Sequence, residues 1–155
     1  MGIVKGLVLI FVIIGGGLFA YSFVDPEGFE ELFPKPPPKV NFHEIPKLTE
    51  SDVKKDRTTI LSVTVRNNEN KETVSNVVAK LSVIEGSHPE EHLEFKEITP
   101  LSDTITPGDV SDTKKIPIRA IKISGQETKF RMVVEILVDG IQTDKHEFDV
   151  KIIPN

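Results

Sequence analysis

Residues 130–140 read Phe130-Arg131-Met132-Val133-Val134-Glu135-Ile136-Leu137-Val138-Asp139-Gly140. Phe130, Met132, Val134, Ile136 and Val138 recur every second residue, the period of a strand with one face on a core. Asp139-Gly140 suits a two-residue turn whose backbone twist matches that of the flanking strands. The chain then resumes, with Phe148, Val150 and Ile152 again at alternate positions. This stretch predicts a β-hairpin, and the same period runs outward from it.

Upstream, Ile116, Ile118 and Ala120 alternate with polar residues, and Leu93 and Phe95 begin a shorter strand. Val77, Ala79, Leu81 and Val83 form an inward face opposite Lys80 and Ser82. Leu61, Val63 and Val65 do the same with Ser62 and Thr64 between them, and residues 40–45 are a candidate first strand. Asn67-Asn68-Glu69-Asn70-Lys71, Gly86-Ser87-His88-Pro89 and Thr106-Pro107-Gly108-Asp109 are breaks by their turn chemistry. About seven strands at this spacing, with no convincing helix, predict an all-β fold: an antiparallel β-sandwich of immunoglobulin-like type over residues 39–155. With no cysteine and no tryptophan in the chain, the Cys…Trp…Cys subtype is excluded.

Residues 1–24 follow a different rule. Residues 6–24, GLVLIFVIIGGGLFAYSFV, are 19 positions without a charge. That length approaches the roughly 20 apolar residues a helix needs to cross the hydrocarbon core of a bilayer. The expectation is one N-terminal transmembrane anchor. A cleaved signal peptide is the rival, since Ala20-Tyr21-Ser22 has a small-x-small pattern, but the run outlasts a typical signal core. Lys5 lies on one side and Asp25, Glu27, Glu30 and Glu31 on the other, so the positive-inside bias predicts N-in with the C-terminal domain extracytoplasmic. Gly15, Gly16, Gly17 and Ala20 are candidate helix-packing positions, because small residues let two membrane helices approach closely. Residues 25–38 form a linker, acidic at first and then proline-rich. Its run Pro34-Lys35-Pro36-Pro37-Pro38 favours a stiff polyproline II spacer.

Composition narrows the function. Nineteen lysines and arginines against 24 acidic residues give a net charge of −5, with no basic cluster that would mark a nucleic-acid partner. The lack of cysteine removes disulfides, zinc-thiolate sites and cysteine nucleophiles. His88-Pro89-Glu90-Glu91-His92 matches the H-x-x-E-H pattern of inverted zinc peptidases. That chemistry needs both histidines on one helix face, and Pro89 within a short inter-strand loop argues against it. Asp103, Asp109 and Asp112 lie near a turn but lack the spacing of a calcium loop, and His43 and His146 stand singly in strands. No phosphate-cradling loop, dinucleotide fingerprint or nucleophile elbow occurs. The expectation is a non-enzyme with no cofactor, no metal and no small-molecule substrate.

Three segments carry a resemblance: Val63-Thr64-Val65-Arg66-Asn67-Asn68, Val74-Ser75-Asn76-Val77-Val78-Ala79-Lys80-Leu81 and Ile105-Thr106-Pro107-Gly108-Asp109. Together they resemble CARDB-type and related fibronectin-III-like domains of prokaryotic surface proteins, over roughly residues 58–150. The family's acidic, Asn-rich closing motif is replaced here by the Asp139-Gly140 hairpin. Water-stress-response domains have a similar strand-Asn-turn pattern. Either resemblance implies adhesion, scaffolding or assembly and transfers no catalytic residue. The function expected is a membrane-anchored, extracytoplasmic protein-interaction module, an accessory or scaffold subunit of a membrane or envelope complex. Its partners would be the lipid bilayer and another membrane or envelope protein. A surface adhesion or stalk protein is the alternative, and a solute-binding protein or enzyme the remote one.

Overall fold

The computed structural model describes residues 39–122 and 126–154. The predicted anchor and linker lie outside the described residues. Within them, no helix is long and apolar enough to cross a membrane.

Among the described residues, eleven strand segments and one short helix follow in order. They are β1 (Val40–Phe42), β2 (Lys47–Leu48), β3 (Asp52–Lys54), β4 (Thr58–Val63), β5 (Val65–Asn67) and β6 (Val74–Glu85). Then come α1 (Pro89–His92), β7 (Leu93–Phe95), β8 (Ile98–Ile105), β9 (Lys114–Ala120), β10 (Thr128–Val138) and β11 (Ile141–Ile153). One sheet has the order β3-β11-β10-β6-β8, a second β2-β4-β9-β7, and β1 pairs with β5 alone. The two larger sheets share one core. Leu61, Ile116 and Ile118 come from the second sheet, and Leu81, Phe130, Met132, Val134 and Ile136 from the first, all at most 1% exposed. Burying each such side chain contributes roughly 1.5–3 kcal/mol, which is what the alternating pattern exists to do.

The β10–β11 hairpin forms as expected. Asp139 (φ 49°) and Gly140 (φ 82°) are both left-handed, the requirement of the favoured hairpin turn. Seven strands become eleven for local reasons. The run through Leu61, Val63 and Val65 is not one strand. Val63 pairs with Lys114 of β9, but Val65 pairs with Phe42 of β1. The break falls at Thr64, whose carbonyl accepts from His43 N–H (2.8 Å) while its hydroxyl bonds that of Thr113 (2.8 Å). β2, β3 and β8 were not signalled, because two are only two or three residues long and β8 lies at a sheet edge with a mixed burial pattern. The first strand ends at Phe42 rather than at residue 45. The expectation of a wholly antiparallel body is corrected at one place, where β3 runs parallel to β11. The expectation of no helix is corrected by the single turn of α1, which Pro89 can open because it has no N–H to leave unsatisfied.

Candidate interaction surface

The segment from His88 to His92 does not assemble a metal centre. His88 is left-handed (φ 49°), exposed, and 3.7 Å from the Glu90 carboxylate. His92 turns inward: it is 9% exposed, its Nδ1 lies 3.1 Å from the Lys122 carbonyl oxygen, and its ring tilts against Phe130 at 5.7 Å. Glu91 pairs with Lys122 (2.7 Å), whose ammonium and hydrogen bond hold the carboxyl below its ordinary value. The motif therefore pins the loop to the core and to the segment after β9. Among the described residues no three His, Asp or Glu side chains cluster in a way that would hold a metal ion.

Asp109, Asp103 and His146 likewise take structural positions in the fold. Asp109 accepts from the Thr106 hydroxyl and closes its turn. Asp103 lies within β8. His146 meets Phe42 edge-on at 6.4 Å. Gly15, Gly16, Gly17 and Ala20 lie outside the described residues.

Asn67 departs from its expected place in a polar loop. It is wholly buried at the end of β5. Its Nδ2 donates to the carbonyls of Glu72 (2.9 Å) and Ile105 (3.0 Å), and its Oδ1 accepts from Glu69 N–H (2.9 Å). Its own carbonyl accepts from Gly108 N–H (2.9 Å) and its N–H donates to Asp109 O (3.0 Å). The Asn-rich turn and the Pro-Gly turn are thus tied to each other through one side chain and its backbone.

The surface feature best suited to binding is a groove of about 620 Å³ at one lateral opening of the sandwich. Leu81 and Val83 of β6 and Leu93 and Phe95 of β7, strands of opposite sheets, make its floor, with Pro89 and Ile121 at one end. Val83 and Phe95 pack on the core but remain partly uncovered. Glu90, Glu94 and Glu97 stand on the rim, and none of the lining residues is a cation. Glu94 has Arg119 at 3.5 Å. The groove is open because β6 outlasts β8. The β6–β8 ladder ends at Lys80–Ile98, followed by a bond from Leu81 N–H to Glu97 O (2.7 Å). Among the described residues, β6 from Ser82 to Glu85 has only β10 beside it. The alternation of residues 77–83 pointed to the floor, but only the length of β8, which the sequence did not signal, exposes the edge.

No family model and no curated protein matches the chain. Solved structures do. The fold is shared with a CARDB domain. The CARDB domain of a Pyrococcus furiosus protein superposes with a TM-score of 0.50 at 11% identity, over 77% of this chain and 98% of that one. The CARDB-like, immunoglobulin-like sandwich expected from residues 63–68, 74–81 and 105–109 is therefore the fold found. Escherichia coli α2-macroglobulin matches with a TM-score of 0.48 at 15% identity, over 75% of this chain and 7% of that one. The Pseudomonas fluorescens alkylpurine DNA glycosylase AlkC matches with a TM-score of 0.45 at 14% identity, over 75% of this chain and 31% of that one. The chain thus spans less than a third of either of these two proteins.

Proposed function

We propose that this chain is a membrane-anchored, non-enzymatic protein-interaction module that serves as an accessory or scaffold subunit of a membrane or envelope complex. The observation that carries the reading is the lateral groove, where half-covered Val83 and Phe95 lie beside a stretch of β6 with one side unpaired. Apolar side chains next to unpaired backbone donors and acceptors are what an interaction edge offers. The CARDB-like sandwich is compatible with that role. The anchor enters from residues 6–24, with the orientation N-in and the domain extracytoplasmic, and Gly15, Gly16, Gly17 and Ala20 form the face that packs on a partner helix in the bilayer.

The test is site-specific photocrosslinking in native membranes. A photoreactive residue at Phe95 should give an adduct with one distinct protein. The same residue at Ile141 serves as control. Ile141 is apolar and exposed, and it pairs with Val138, which faces Val77 at the other end of β6, roughly 20 Å from Val83. No adduct at Phe95, or equal labelling at both positions, would contradict the reading.

A further inference from the structure

We infer that the groove between β6 and β7 receives an extended polypeptide strand of a partner protein, one that alternates basic and apolar residues and adds to the edge of β6 beyond Lys80. The inference rests on the interaction-module reading and specifies its partner.

Three observations converge on this occupant. The first is backbone supply. Leu81 N–H still bonds Glu97 O, but the ladder with β8 stops there while β6 continues to Glu85. In a strand, N–H and C=O of one residue point to the same side, and alternate residues share a side. Leu81 faces the β8 side, so Val83 does too. Its donor and acceptor are presented next in line, at the position an added strand would occupy. A helix has no free backbone groups to meet them, so an extended segment is the matching shape.

The second is the floor. Val83 and Phe95 are partly uncovered apolar side chains flanked by Leu81 and Leu93. A strand laid along β6 points every second side chain into that floor, so its inward residues are apolar.

The third is charge. Glu90, Glu94 and Glu97 rim the groove without a cation among the lining residues. Arg119 lies near Glu94, His88 near Glu90, and among the described residues Glu97 has no cation within ion-pair distance. Three carboxylates beside an apolar floor attract lysine and arginine on the outward positions of the added strand. They also repel acidic segments and anionic lipid headgroups.

The experiment uses the full chain in nanodiscs of zwitterionic phosphatidylcholine and three fluorescein-labelled, end-blocked peptides. One alternates lysine and valine. One alternates glutamate and valine. The third is the lysine peptide N-methylated at alternate amides, in two versions covering both registers. Binding is read by fluorescence anisotropy and by amide hydrogen exchange at residues 82–85.

The lysine peptide should bind, slow exchange at 82–85, and weaken as salt rises. N-methylation in one register should weaken it about tenfold, because it removes the edge hydrogen bonds and leaves charge and side chains in place. Glu97→Lys, at an exposed position, should weaken the lysine peptide and strengthen the glutamate peptide, a reversal that misfolding would not produce. No binding of the lysine peptide, equal binding of both charge types, indifference to N-methylation in both registers, or protection away from residues 82–85 would each overturn the inference. If these fail while the Phe95 crosslink still yields its adduct, the interaction module stands and this partner class falls; if both fail, both fall.

Discussion

Asn67 shows how one side chain can organise two turns. It is fully buried, and each of its polar atoms is bonded to backbone of the loops around it. Asn67→Ala should destabilise the fold by about 3 kcal/mol in denaturant melts, because two carbonyls and one N–H lose their partner inside the protein. In the sequence this asparagine was indistinguishable from the surface asparagines that follow it, since residue type alone does not separate a turn-former facing water from one facing a core. The inward positions of the strands were more legible. Phe130, Met132, Val134, Ile136 and Val138 are at most 1% exposed, as their period required. Charge pairs act at the same scale. The Glu91 carboxyl is held below its ordinary value of 4.5 first by its hydrogen bond to Lys122 and then by the ammonium charge. A depressed carboxylate adds stability above its unfolded value and loses it as pH falls through the folded one. Glu91→Gln should therefore be slightly less stable than the wild type at neutral pH, and the gap should close in melts run progressively below pH 4.5. An equal gap at every pH would show that the Lys122 contact carries no charge-dependent stability.

The elements depend on two glycines for different reasons. Gly140 closes the β10–β11 hairpin at φ 82° with open space around it. Gly86 ends β6 at φ 135° with the Phe130 ring directly against it, Cε1 lying 2.9 Å from where a Cβ would be. Gly140→Ala should cost about 1 kcal/mol, the backbone strain alone. Gly86→Ala should cost about 3 kcal/mol, since it adds a collision with the largest side chain of the core. Parallel thermal melts of the two variants compare them, and equal losses would mean the ring moves aside freely. At this scale the sequence was readable where strands are long and wet on one face. It was silent on β2 and β3, which are too short to show a period, and on β8, whose edge position relaxes the demand for alternation. It also could not show that the run through Thr64 changes partners, because both halves keep the same inward parity. For the groove, this meant that its floor was foreseeable and its opening was not.

For the molecule as a whole, the governing contrast is between the uncharged residues 6–24 and the charged, β-rich body that begins at Val40. The full chain should stay with the membrane pellet through alkaline carbonate extraction, whereas a variant lacking residues 1–24 should be released. Recovery of the full chain in the supernatant would remove the anchor from the proposal. The sheet order has a consequence of another kind. β11 lies between β3 and β10, so the last of the described strands is an interior strand of the larger sheet. During synthesis the larger sheet cannot be completed until residue 153 has been delivered. Until then β3 and one edge of β10 lack their strand partner in the sheet. A chain cut before β11 would therefore separate β3 from the rest of the larger sheet.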